Sequence, residues 1–441
     1  MEFPVWYVPY LTAPMLIPLI AVPHVIVAQF AVGAGILLAD LVRRAYRDHS
    51  TEALDYLHGL AHYFVLITLV FGAVTGVGIW WTIGLASPET TSALIHIFVF
   101  GWAAEWTAFI LELVAAFAFY YLWDRLSPRE HMAIGWIYAG AAWVSLVIIT
   151  GITSFMLTTG HWTPEADFFT AFFNPSFIPQ TLLRTGGSIV IAALGIVFHV
   201  SFRSDPSDLK NAVVRAVSQW AMAGMALIAA GGVWYMLAMP DHAQLNLIRA
   251  PLLLIMTALN FAVTLLVVAA LGWGVVSGAR WITPPSALML LLAGALASTT
   301  GEFVREGARK PYRIENYMIA PGVLVSQIPV FQRDGFVAHS RWLNFYLHDG
   351  GKSAEPATTD KAARIKGGEA IFQYHCSSCH AEFGYNGMKP IVYPWTAELI
   401  VDAVHNLHRT NPAMPPWLGT EAERDLLAAY LVQLNREARA R

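Results

Sequence analysis

The chain has 441 residues, of which 56% are hydrophobic and only 13% charged, with a mean hydropathy of +0.51. A soluble globular protein carries about 25% charged residues, so most of this chain belongs in a lipid bilayer. A net charge of −3 is too small to imply nucleic acid or any other strongly charged partner. In chain order, eight apolar segments reach the roughly 20 residues that a membrane-crossing helix needs. They fall at about 11–40, 58–85, 92–123, 131–158, 179–202, 213–238, 249–277 and 283–305. The longer ones imply tilt or interfacial extensions. Met1 to Phe30 contains no Lys or Arg, so no basic cleavable leader is read and export rides on the spans themselves. Basic residues then set the orientation. One set of connecting segments holds Arg43, Arg44, Arg47, Arg125, Arg129, Arg203, Lys210, Arg215 and Arg280, and the opposite set only Arg184 and Arg249, both beside a span. The first set is therefore expected in the cytoplasm, with the N-terminus outside.

Arg305 to Leu343 is mixed and aromatic, with Pro311, Pro321 and Pro329, and reads as an ordered outer-surface segment. A ninth span at 317–330 is too short and too interrupted. Residues 349–361, rich in Gly, Lys, Ser, Pro and Thr, read as a linker. No internal repeat or low-complexity tract is evident.

The only two cysteines sit in the run Cys376-Ser377-Ser378-Cys379-His380. That spacing lets two thiols add across the vinyl groups of one haem while the adjacent histidine reaches its iron. A zinc site would need two more ligands close by, and a thioredoxin-like Cys-x-x-Cys does not require the histidine. The expected cofactor is one covalent haem c, with Cys376 and Cys379 as attachment points and His380 as an axial ligand. Asn411-Pro412-Ala413-Met414-Pro415-Pro416 offers Met414 as the sixth ligand, and His/Met ligation suits electron transfer. The tail from Lys361 to Arg441 resembles a small class I cytochrome c, with its first helix around Gly367–Phe372 and its last at Glu421–Asn435. Eight crossings return the chain outside, where c-type haem is attached, so motif and charge bias agree.

Ionisable groups inside spans are costly and functional by default. Glu105 and Glu112 lie seven apart in the third span, two turns that put both on one face. Glu302 and Glu306 share a face at the outer end of the eighth, with Arg305 and Arg309 in a neighbouring row. Such carboxylates serve as haem ligands or proton carriers, or else as structural ion pairs, and an arginine pairs with haem propionates. His24, in the first span after Pro14, Pro18 and Pro23, is a ligand or a satisfied core histidine, and His96 carries the same ambiguity. His58, His62 and His199 read as wetted interfacial residues.

From His24 to about Pro311 the chain resembles subunit I of the cytochrome bd oxidases. The matching stretches are Trp123-Asp124-Arg125-Leu126-Ser127 with His131-Met132, then Trp143 to Met156, Phe71-Gly72-Ala73-Val74-Thr75-Gly76, and Glu306-Gly307-Ala308-Arg309-Lys310-Pro311-Tyr312. The resemblance implies that His24 ligates one high-spin haem and Glu306 a second. It also implies that Glu112 links proton delivery to haem ligation, and that Met256 ligates a low-spin b haem. There are departures. No histidine stands near Pro179-Gln180-Thr181, where the second low-spin ligand is expected. The family's other third-span glutamate falls at Ala104, whereas this chain has Glu105. The quinol loop shrinks to Met239–Asn246, and a cytochrome c domain replaces the ninth span.

The expected fold is all-α: a polytopic membrane helix bundle of about eight transmembrane helices plus a small α-helical cytochrome c domain. Its expected parts are a haem-bearing membrane domain at 1–310, the outer-surface segment at 311–348, the linker at 349–361 and the cytochrome c domain at 362–441. A protein that lacks the quinol loop and half a low-spin site needs another electron entry, and a tethered haem c supplies one. The expected function is passage of electrons between haem c and non-covalent b- or d-type haem, ending in O₂ reduction, with Glu112 or Glu105 carrying protons. The alternative is a membrane cytochrome that only relays electrons between quinone or another complex and periplasmic carriers. Expected partners are the bilayer, a second membrane subunit similar to bd subunit II or a larger respiratory complex, and a periplasmic cytochrome or other redox carrier. The expected location is the bacterial inner membrane, with the N-terminus and cytochrome c domain on the periplasmic side.

Overall fold

The computed structural model describes residues 5–203, 208–339, 360–384 and 386–440. Among these, eight helices are long and apolar enough to cross a membrane: Ala13–Arg47, Thr51–Ala86, Val99–Tyr121, Pro128–Ser154, Phe177–Ser201, Asp208–Ala238, Pro251–Ser277 and Pro284–Ala308. The count agrees with the hydropathy reading, and the edges differ in instructive places. The third span starts at Val99 because the chain breaks at Phe98 (φ −115°, ψ 31°), which leaves His96 in a separate short helix, Pro88–Ile97. Arg184, read as a flanking residue, lies inside the fifth span.

The chain divides into two compact units. One comprises Ala21–Gly78 and Ile97–Ala308, and the other Met1–Ile20, Ile79–His96 and Arg309–Arg441. In the first unit the fifth span is central: Ile189 to Val197 is buried throughout. Close approach there depends on small residues. A Cβ on Gly186 would stand 2.3 Å from the Gly224 carbonyl of the sixth span, and one on Gly224 would stand 2.9 Å from the Gly186 carbonyl. Apolar helices have no hydrophobic drive to associate in lipid, so backbone contact of this kind supplies the packing. Side chains such as Val77, Trp106, Phe261 and Met289 point outward instead, an apolar surface suited to a bilayer. The fourth span opens with a capping box: Ser127 N donates to Glu130 at 2.9 Å and Glu130 N donates to the Ser127 hydroxyl.

In the second unit, Tyr312–Ile314, Met318–Ile319 and Val323–Leu324 form a three-stranded antiparallel sheet. These strands fall in the segment read from sequence as ordered, and between 317 and 330, where no span forms, they are followed by the short helices Val325–Gln327 and Ile328–Asp334. Residues 340–348 of that segment and 349–359 of the linker lie outside the described residues. The cytochrome c region begins with the helix Lys361–Ile371, whose first amides donate to the Asp360 cap, and ends with Glu421–Arg439, opened by a Thr420/Glu423 capping box. These two helices cross at Gly368, where a Cβ would stand 2.1 Å from the Leu426 carbonyl and 2.7 Å from Tyr430 Cβ. Backbone cannot move aside as a flexible side chain does. Gly368→Val is therefore expected to cost at least the ~1–3 kcal/mol of an overpacked core, measured as a lower melting temperature of the cytochrome c region with the membrane helices unchanged.

Candidate functional site

Among the described residues two stretches of π-helix occur, one leading into the Cys376–His380 run and the other into residues that face His24; such bulges recur at functional sites. In the cytochrome c region Phe372–Cys376 is π-helical. The chain then turns so that Cys379 N and His380 N both donate to the Cys376 carbonyl, at 3.0 and 2.7 Å. One tight turn thus carries both thiols and the imidazole. His380 Nδ1 lies 3.2 Å from the Asn386 carbonyl. A carbonyl only accepts, so Nδ1 carries the hydrogen and Nε2 keeps its lone pair for a metal. Burial also holds the ring below the ordinary imidazole pKa, which favours the neutral, ligating form. Asn386 Nδ2 returns to the Cys379 carbonyl at 2.8 Å. Met414 sits half-buried in a loop fixed by its own backbone: its amide donates to Asn411 O at 2.9 Å and its carbonyl receives His408 Nδ1 at 3.0 Å. Among the described residues no group of three His, Cys, Asp or Glu side chains is arranged to hold a metal ion, so the zinc reading of the cysteine pair finds no further ligands. Two thiols, a neutral imidazole and a thioether on a held loop fit haem c.

The second π-helical stretch, Leu66–Gly72, lies in the second span. Beyond it Thr75 donates to the Phe71 and Gly72 carbonyls, at 2.8 and 3.1 Å, and its oxygen lies 3.0 Å from His24 Nδ1. The threonine hydrogen is committed to backbone, so His24 Nδ1–H is the donor and Nε2 is again the free nitrogen. Gly76 leaves room beside the ring: a Cβ there would come within 3.2 Å of His24 Cε1. That arrangement would leave His24 Nε2 available to a membrane haem.

Glu105 and Glu112 share a face, as their spacing predicts, and that face meets the fourth span. Ser145 donates to Glu105 at 3.1 Å, and Tyr138 donates to Glu112 at 3.1 Å. The partners are themselves seven residues apart, as antiparallel neighbours should be. The Tyr138 hydroxyl also lies 3.3 Å from the Ala31 carbonyl of the first span, so it ties three helices together.

At one end of the eighth span Arg305 pairs with Glu302 at 2.9 Å. Glu302, Arg305 and Arg184 line a cavity of about 210 Å³ among the first, fifth, sixth, seventh and eighth spans. Further polar groups come from Gln29, Asn260 and Ser298; Ser298 donates to Gln29 at 3.0 Å and Asn260 to the Ala297 carbonyl at 2.6 Å. Gln180 lines it too, only 4% exposed, with no partner for its side-chain oxygen. Glu306 and Met256 are both half-buried. Arg309 is buried in the other unit, where it donates to the Arg313 carbonyl at 3.0 Å. His96 is satisfied by its own helix through Ser92 O at 2.7 Å, and His58 stacks on Trp123.

Sequence reasoning missed Thr75, Tyr138, Gln29 and Asn260, since only ionisable groups were weighed. A count of uncharged polar residues inside spans would have drawn attention to them. His375, next to Cys376 and also outside the sequence reading, is buried, and burial pushes its pKa down to about 3.

Residues 15–243 match the family model for cytochrome bd terminal oxidase subunit I, and residues 363–431 match that for cytochrome C oxidase, cbb3-type, subunit III. No curated protein matches the chain. Among solved structures it is similar to the bd oxidase from Geobacillus thermodenitrificans, with 15% identity and a TM-score of 0.60 over 68% of this chain and 87% of that one. At that identity the likeness speaks for the fold alone.

Proposed function

The chain belongs to the cytochrome bd terminal oxidase subunit I family and carries a C-terminal cytochrome c domain, and on that premise we propose that it is an electron-entry and oxygen-reducing subunit. It is a multi-pass membrane protein of respiratory electron transport, and its cytochrome domains imply haem binding. In the proposed division of labour, Cys376, Cys379, His380 and Met414 hold one haem c on the outer side of the membrane. His24 and Glu306 each hold a non-covalent haem, Arg309 pairs with a haem propionate, and Met256 is the ligand of a low-spin b haem. When bound, these groups supply the redox chemistry and, at an open iron, the binding and reduction of O₂. The chain's own residues hold and orient them, and Glu112 passes protons to the site, with Glu105 beside it on the same face. A periplasmic redox carrier is the donor and a second membrane subunit the partner.

The observation that supports this reading most is the pair of histidines, His380 and His24, each with Nδ1–H committed to an oxygen and Nε2 left for iron. The test is oxygen uptake by the purified chain with a reduced c-type cytochrome as donor, measured beside its haem content. The contacts of His24 give a sharper prediction. Thr75→Val deletes the acceptor for Nδ1–H, a loss that lowers ligand affinity by about 10–100-fold at metal sites. The ratio of non-covalent to covalent haem should fall, and Thr75→Ser should restore it.

A second reading, electron relay without O₂ reduction, has one observation of its own. Glu105 is engaged by Ser145 and stands one residue from the position the family uses. The two readings separate on oxygen uptake by a chain that holds all its haem.

A further inference from the structure

We propose that the residues ahead of the first span, Trp6 to Tyr10, are a strap that positions the His380 loop, a role that rests on the haem c reading above. The loop after His380, described at Ala381–Gly384 and Asn386–Met388, is closed by Met388 N donating to Ala381 O at 2.8 Å and Gly387 N to Gly384 O at 3.1 Å. Its Asn386 carbonyl is the acceptor for His380 Nδ1–H, and its Asn386 side chain binds the Cys379 carbonyl. Whatever fixes this loop therefore fixes the plane of the imidazole.

The strap fixes it at four points. Phe383 N donates to the Pro9 carbonyl at 3.0 Å. The Phe383 ring stacks on Tyr10, with centroids 5.5 Å apart and planes 29° apart. Tyr7 donates to Glu382 at 3.4 Å. Gly384, at φ +71°, passes so close to Tyr10 that a Cβ would stand 2.5 Å from the Tyr10 carbonyl. Lys389 then ties the same loop to the last helix, bonding Glu382 at 3.2 Å and Glu437 at 2.8 Å with its ammonium 4.2 Å from the Phe383 ring centroid. The far end of the strap is anchored at the end of the second span, where Trp6 N donates to the Leu85 carbonyl at 3.0 Å and Trp6 packs edge-on against Trp81.

An outer-shell acceptor on the second nitrogen of an iron-bound histidine orients the ring and raises its basicity, and so tunes the metal. Tyr10 and Phe383 are accordingly positioning residues that act on haem c through Asn386 and His380, without touching iron.

The test uses the full-length protein with its haem and compares Tyr10→Ala and Phe383→Ala with Tyr10→Phe, which keeps the stacked ring. Covalent haem is expected in all three. In the two alanine variants, amide hydrogen exchange in the 381–388 peptide should accelerate, and the redox titration of the c haem should shift beyond the spread between wild type and Tyr10→Phe. Unchanged exchange overturns the strap. Faster exchange with an unshifted titration leaves only packing and overturns the positioning role. A wild-type chain without covalent haem would overturn the haem c reading and the positioning role with it, while the exchange data would still report whether the strap holds the loop.

Discussion

Cys376→Ser and Cys379→Ser are each expected to weaken or abolish haem-dependent peroxidase staining of the denatured chain, and the double substitution to abolish it. These are the only cysteines in the protein, and both lie on one turn closed by amides donating to the Cys376 carbonyl. A covalent haem survives denaturation because thioether bonds hold it, and no other residue here can replace either bond. Met414→Ala should behave differently. Its staining should be full, because the attachment is intact, but its reduction potential should fall, because a thioether ligand favours reduced iron. Full staining in both serine variants would contradict the haem c assignment, and an unchanged potential in Met414→Ala would mean that another residue is the sixth ligand.

His24→Ala and Glu306→Ala are each expected to lose non-covalent haem while keeping the covalent haem, whose proposed ligands lie in the cytochrome c region. For His24 the expectation rests on the Thr75 bond that leaves Nε2 available. For Glu306 it rests on the matching run Glu306 to Tyr312. Glu112→Gln should separate haem content from turnover. The amide keeps the size of the side chain and a partner for Tyr138, but it cannot carry a proton. A carboxylate inside an apolar span is either used or neutralised, and the Tyr138 hydroxyl at 3.1 Å leaves it paired but not cancelled. Haem content should therefore survive in Glu112→Gln while oxygen uptake falls. Equal oxygen uptake in Glu112→Gln and wild type would remove Glu112 from the proton path.

Much of this architecture was legible because it depends on local physics. Hydropathy gives eight spans since each must satisfy its backbone hydrogen bonds within itself. The spacing of Glu105 and Glu112 put both on one face because helical periodicity is fixed, while the span that face meets is known only from the structure. The Cys376–His380 run carried its own chemistry. What the sequence did not disclose depends on partners distant in the chain. Thr75 meets His24 across 51 positions, and Tyr138 meets Glu112 across 26. Arg184 looked like a residue flanking a span, as long basic side chains near helix ends often are. Its place inside the fifth span makes sense only once Glu302 and Arg305 of the eighth are seen lining the same cavity. The sheet at 312–324 has strands of two and three residues, too short for alternation to register. The strap was hidden for the same reason as the His24 pair, since Pro9 and Phe383 are joined only in three dimensions.

In the proposed route, electrons enter at haem c and reach a membrane haem with an iron position open to oxygen. Reduced-minus-oxidised spectra of the purified chain, recorded with and without carbon monoxide, test it most directly. A low-spin c-type band that carbon monoxide leaves alone is expected, together with a high-spin band that it shifts. Low-spin bands alone, all indifferent to carbon monoxide, would contradict the oxygen-reducing role and leave the relay as the function.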